Sequence, residues 1–192
     1  MGEMDNVTIH PSGWWESNDD VPHLLVPSIC NWIINFFKND KDQPLHDFGC
    51  GLGHYLAKIA DAGYTNLIGY EGKIAKNSIF TNIIEQNIAF PFDIPNKGNV
   101  ICLEVGEHIP AEFMGNLLTN LATACAPGKH LVLSWAVRGQ DYPGHVNMLD
   151  NHEVIPCVQA KGFEYMVRET MEAKNAVNDY LHFKNVMVYR KK

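Results

Sequence analysis

The stretch Leu45-His46-Asp47-Phe48-Gly49-Cys50-Gly51-Leu52-Gly53 constrains this chain more than any other. Leu45 to Phe48 read as the end of a buried strand, and Tyr55 to Ala62 as the helix that follows. Three glycines at alternate positions between them let the backbone turn tightly and approach a ligand with no Cβ in the way. Free N–H groups then point out of the helix N-terminus toward the polar end of that ligand. The dinucleotide pattern G-x-G-x-x-G does not fit. Its last glycine would fall on His54 counted from Gly49, or on Leu56 counted from Gly51.

What stands here is Asp-x-Gly-x-Gly-x-Gly, which resembles the first motif of the class I S-adenosylmethionine (SAM)-dependent methyltransferases. That resemblance implies a loop of Gly49, Cys50, Gly51 and Gly53 lying against the methionine and ribose of SAM, or of its product S-adenosylhomocysteine, with Asp47 beside it. A second strand, Asn66 to Glu71, ends in a carboxylate 24 positions after Asp47. An acid at that strand tip can accept hydrogen bonds from both hydroxyls of a ribose. Ile83 to Ile88 read as a short third strand. Where the family often has an Asp that reads the adenine amino group, this chain has Asn87, followed by Ile88. An amide oxygen can accept the same bond. Gly72, Leu103 and Glu104 complete the expected cofactor set.

The fourth strand, Val100 to Val105, runs into Gly106-Glu107-His108-Ile109-Pro110. The pattern Glu-x-x-Glu-His at this point is frequent in the same family. If the chain turns helically, Glu104, Glu107 and His108 share a face. Two readings stay open. His108 is a base or positioning group, with Glu107 beside it. Alternatively, Glu104, Glu107 and His108 hold a divalent cation such as Mg, with His145 or His152 as a fourth ligand. The second arrangement resembles the metal site of small-RNA 2′-O-methyltransferases and of ubiquinone-pathway O-methyltransferases. His145 lies in a loop rich in Gly and Pro after the fifth strand, Leu131 to Val137, with Arg138, Gln140 and Tyr142 near it. We take His108, His145 and Glu107 as candidate catalytic groups and Tyr142, Trp14 and His23 as candidate substrate contacts.

Helices are expected from Pro110–Ala111 through Cys125 and from about Asp150 to Ala160, and Phe163–Thr170 pairs with Tyr180–Arg190 as a closing antiparallel hairpin. The expected fold is α/β, a Rossmann-like seven-stranded, mostly parallel sheet with helices on both faces. Residues 1–40 form an N-terminal arm and a lid helix, and 41–192 a SAM-binding domain. Trp14 and Trp15 either pin the arm to the body or form an aromatic lid, and the helix after them begins or breaks at Pro27.

A length of 192 residues with 46% apolar content suits one domain with a sizeable core. The net charge of -7 argues against a broad nucleic-acid surface and for a small-molecule acceptor. No apolar run approaches the roughly 18 residues of a membrane span, and the acidic start is unlike a signal peptide. Five scattered cysteines without C-x-x-C read as reduced thiols of a cytoplasmic protein, monomeric or homodimeric. The acceptor is expected to be an oxygen nucleophile. An RNA-directed enzyme and a non-catalytic SAM-binding module are the alternatives.

Overall fold

A computed structural model describes residues 8–16, 25–177 and 185–192. His23 and the start of the expected last strand lie outside the described residues. Seven strands form one sheet: β1 (Leu45–Phe48), β2 (Leu67–Glu71), β3 (Ile83–Glu85), β4 (Asn99–Cys102), β5 (His130–Leu133), β6 (Phe163–Tyr165) and β7 (Met187–Lys191). Their order is β3-β2-β1-β4-β5-β7-β6. The first five pair in parallel, and β7 lies antiparallel between β5 and β6. This is the Rossmann-like, mostly parallel sheet that the strand–loop–helix spacing implies.

Alternation along each strand divides the core. Val100 and Cys102 of β4, Leu131 and Leu133 of β5, and Met187 and Tyr189 of β7 face one layer of helices. That layer is α3 (Ala111–Ala124), through Leu117, Leu118 and Leu121, and α4 (Asn151–Gln159), through Val154 and Val158. The intervening Ile101, Val132 and Val188 face α1 (Pro27–Phe36), α2 (His54–Asp61) and α5 (Val167–Ala176). Central strands covered on both sides are buried at every position, as β1, β2 and β4 are, and their polar residues His46, Asp47, Glu71 and Asn99 are buried with the rest.

Pro27 stands at the first turn of α1, where its missing N–H costs nothing, so the helix starts there and is not broken. Packed against α2 and α5, α1 belongs to the body. The expected strand Phe163–Thr170 is shorter: it stops at Tyr165, and α5 follows from Val167. The terminal antiparallel pair is therefore joined through a helix and not by a tight turn. No helix among the described residues is long and apolar enough to cross a membrane.

Candidate functional site

Parallel strands β1, β2, β4 and β5 bring their carboxyl ends to one edge of the sheet, and the candidate residues follow those ends. Gly49, Gly51 and Gly53 all have positive φ, of 76°, 54° and 84°. A Cβ at Gly49 would collide with the Val105 side chain, and one at Gly53 with Phe80. Glycine is required here by conformation and by space.

The N–H groups of Gly49, Cys50, Gly51 and Gly53 turn inward. Gly49 and Cys50 donate to the Tyr70 carbonyl at 2.8 and 3.2 Å, and Gly53 donates to the Cys50 carbonyl at 2.9 Å. Gly51 donates to Glu71 Oε2 at 2.7 Å, while Gly72 donates to Oε1 at 2.9 Å. The second-strand acid is thereby stitched to the glycine loop. The first turn of α2, whose free N–H groups are the ones expected to face a ligand, has no side-chain cap. The Cys50 thiol packs toward Gly69 of β2, so this residue can meet a cofactor only through its backbone.

Asp47 and Glu71 are 4% and 8% exposed. Burial, reinforced by the Glu71 charge, pushes Asp47 from 3.8 up to about 8. Burial also raises Glu71 from 4.5 to about 7, against the opposing pull of the two N–H donors. Two carboxyls held close together in a dry site favour a cationic ligand such as a sulfonium or an ammonium.

Past β3, Asn87 Oδ1 accepts from the Ala89 N–H at 3.1 Å, and its Nδ2 donates to Ser12 Oγ at 2.8 Å. Ile88 is buried. Ser12 belongs to the arm, residues 8–16, which closes on itself through an antiparallel Ile9–Trp15 bridge. Trp14 lies against Gly72, and Trp15 meets the edge of the His108 ring at 5.4 Å. Both tryptophans therefore pin the arm, and they pin it across the site.

Glu104 follows β4 at φ 54°, a conformation costly for a residue with a side chain and typical of functional turns. Its N–H donates to Ser134 Oγ at 2.8 Å. A 3-10 turn over Gly106–His108 then points Glu107 inward and His108 toward the loop after β5. Glu107 is fully buried, and neither carboxylate oxygen has a hydrogen-bond partner. Burial first, and the neighbouring Glu104 second, hold it well above the usual carboxylate range.

His108 is pushed down from 6.5 to about 4, by burial and then by the nearby His145. The rings stand 4.8 Å apart, edge to face. His108 Nδ1 lies 3.1 Å from the Gly144 carbonyl, and His145 Nδ1 lies 2.7 Å from that of Gln140. A carbonyl can only accept, so each Nδ1 carries the proton, and in His108, whose ring burial keeps neutral, this leaves Nε2 as the basic nitrogen. His145 Nε2 is 4.0 Å from Glu107 Oε1. One ligand atom from each of Glu107, His108 and His145 falls within 4.8 Å of the others. Glu104 is not in that group: the shared face required a helical turn from Glu104, and the turn begins only at Gly106. His152 is exposed on α4, away from the site. Tyr142 is 46% exposed, with its ring 5.6 Å from that of His145.

Sequence reasoning missed Ser12, Ser134 and Trp135. Trp135 packs flat against Gly106 and donates from Nε1 to the Asn147 carbonyl at 2.6 Å, fixing the turn that carries Glu107. Pro11-Ser12-Gly13 was readable as a turn, but no local pattern says which residue across the chain a turn serine will touch.

A family described as "Methyltransferase domain" matches residues 25–169. No curated protein matches. Among solved structures, the sugar N-methyltransferase KedS8 of a Streptoalloteichus species aligns with a TM-score of 0.65 at 14% identity, over 86% of this chain and 87% of that one. The magnesium protoporphyrin IX methyltransferase of Synechocystis, solved with bound S-adenosylhomocysteine, aligns at 0.60 and 17% identity, over 85% and 81%. The [4+2]-cyclase SpnF aligns at 0.60 and 12% identity, over 94% and 87%.

Proposed function

Since the chain belongs to the methyltransferase-domain family, we propose that it transfers a methyl group from SAM to a small-molecule acceptor at an oxygen atom. The observation that carries this reading is the stitch between the two cofactor motifs. Three left-handed glycines end β1, and the N–H of the middle one, Gly51, reaches the acid that ends β2. A ligand crossing that edge of the sheet meets Asp47, Glu71 and the first turn of α2 together.

Methyl transfer from a sulfonium is a direct displacement, so the protein's task is alignment of nucleophile, methyl carbon and leaving sulfur. A hydroxyl nucleophile must also lose a proton. His108, neutral at pH 7 with Nε2 basic, can take it, and Glu107 with His145 lies next to it. The small-molecule acceptor is supported by the similar structures, two of which are a sugar N-methyltransferase and a magnesium protoporphyrin IX methyltransferase. The acidic net charge supports it too.

Thermal melting tests the cofactor. S-adenosylhomocysteine at about a hundred times its dissociation constant adds roughly 2.7 kcal/mol, a rise of several degrees, and NAD adds none. A rise with NAD and none with the nucleoside overturns the reading. Because the fold is also that of a cyclase, turnover must be read as labelled methyl on the acceptor.

A second reading is favoured by the orphaned carboxylate. Glu107, His108 and His145 fit a divalent cation: one ligand atom from each falls within 4.8 Å of the others, each ring is fixed by a carbonyl at Nδ1, and the Glu107 oxygens have no hydrogen-bond partner. Such an ion would acidify an acceptor hydroxyl. Calorimetric titration with Mg or Mn tests it. Binding to the native protein and none to Glu107→Gln supports it, and no heat with either ion overturns it.

A further inference from the structure

We propose that the arm, residues 8–16, is a strap seated in the adenosine end of the cofactor cleft, and that SAM binds only when the strap lifts. The proposal rests on the cofactor reading above.

Asn87 supplies the first argument. Its oxygen is held by the Ala89 N–H, which leaves Nδ2 as the outward group, and Nδ2 is taken by Ser12 Oγ at 2.8 Å. An adenine amino group is a donor and needs an acceptor. In the strapped arrangement Asn87 turns a donor outward and spends it on the arm. Ser12 is 2% exposed, and its Oγ also lies 2.8 Å from His10 Nδ1, so the arm holds the Asn87 amide nitrogen from a buried position.

Gly72 supplies the second. Its φ lies outside the left-handed region, so the backbone does not call for glycine. What calls for it is Trp14, whose Cβ and Cγ lie where a side chain on residue 72 would start. This is the residue after Glu71, the ribose acid. Trp14 is held there by a stack on His10, with ring centroids 4.9 Å apart and planes at 16°. An indole in that place and an adenosine leaving Glu71 compete for one space.

The strap moves as a unit. Its own bonds tie it together: His10 N–H to the Trp14 carbonyl at 2.9 Å, Gly13 N–H to the His10 carbonyl at 2.7 Å, and Glu16 N–H to the Thr8 carbonyl at 2.8 Å. Its far side rests on the acceptor end, with Gly13 against the His108 carbonyl and Trp15 on the His108 ring. Lifting the strap therefore opens both subsites at once.

When only the lifted form binds, the apparent dissociation constant is the intrinsic one divided by the lifted fraction. Ser12→Ala removes a hydrogen bond present only in the strapped form, and S-adenosylhomocysteine is expected to bind about fivefold more tightly. Deleting residues 1–16 is expected to tighten binding at least tenfold, by about 1.4 kcal/mol. In stopped-flow, the observed rate should level off with ligand concentration for the native chain and rise linearly for the deletion. Damage to the fold weakens binding, so tightening is not an artefact of it. If the deletion does not fold, Ser12→Ala carries the test alone. Unchanged or weaker binding in Ser12→Ala overturns the strap and makes the arm a wall of the pocket instead. Failure of the native chain and both variants to bind S-adenosylhomocysteine overturns the cofactor reading, and the strap with it.

Discussion

Asp47 and Glu71 make the ligand-free protein sensitive to pH, in the same direction as the buried Glu104 and Glu107. Their folded-state values, about 8 and about 7, lie above their ordinary 3.8 and 4.5. The native state therefore keeps protons that the unfolded chain releases between about pH 4 and pH 8. Stability from these groups is full below about pH 4 and declines as pH rises through that window. We expect the melting temperature to fall over its upper half, from about pH 6 to pH 8, and Asp47→Asn to flatten that fall. A cationic cofactor ionises the pair, so its binding should release protons. Calorimetric titrations in buffers of different ionisation enthalpy would show this. Gly49→Ala adds a left-handed alanine and a clash with Val105, and should cost about 2 kcal/mol or more in urea unfolding. The glycines and both acids were legible as residues because their chemistry is local. The destination of each loop N–H was not. A sequence shows that Gly51 can donate, but not that Glu71, twenty positions on, has turned back to accept.

At the scale of elements, hydrophobic spacing located most strands and helices, but it missed α5 and read its start as strand. Phe163–Thr170 alternates well enough for a strand, yet α5 takes over at Val167, where Ala173 buries against α1's layer. Packing on the sheet outweighed the local pattern. α4 carries the opposite conflict. Pro156 stands inside it, removing one N–H from the ladder, and the helix persists because Val154 and Val158 are buried. Pro156→Ala should then stabilise the protein by about 1–3 kcal/mol, read as a higher urea midpoint at unchanged slope. A lower midpoint would mean that the proline's ring packing outweighs the missing bond. A shared face for Glu104, Glu107 and His108 depended on a helical turn after the fourth strand, and what forms is a single 3-10 turn over Gly106–His108, held under Trp135. One residue of late turning decided which side chains meet.

For the whole molecule, charge and topology were both readable. A net charge of -7 repels polyanions, so oligonucleotides should neither shift the melting temperature nor show salt-dependent binding at millimolar salt. Strong, salt-sensitive binding would favour the RNA-directed alternative. The meeting of the arm with β2, β3 and β4 was not readable, because contacts across 75 positions such as Ser12–Asn87 leave no periodic trace.

The place of β7 bears on how such a chain is made. It comes last in chain order and lies inside the sheet, between β5 and β6. On a ribosome the growing chain can lay β1, β4 and β5 side by side, but β6 has no neighbour until Met187–Lys191 emerges. Until then, β5 shows an unpaired edge in a crowded cell. The emergence of β7 closes the sheet, and a pause before it would be the point at which nascent chains adhere to one another.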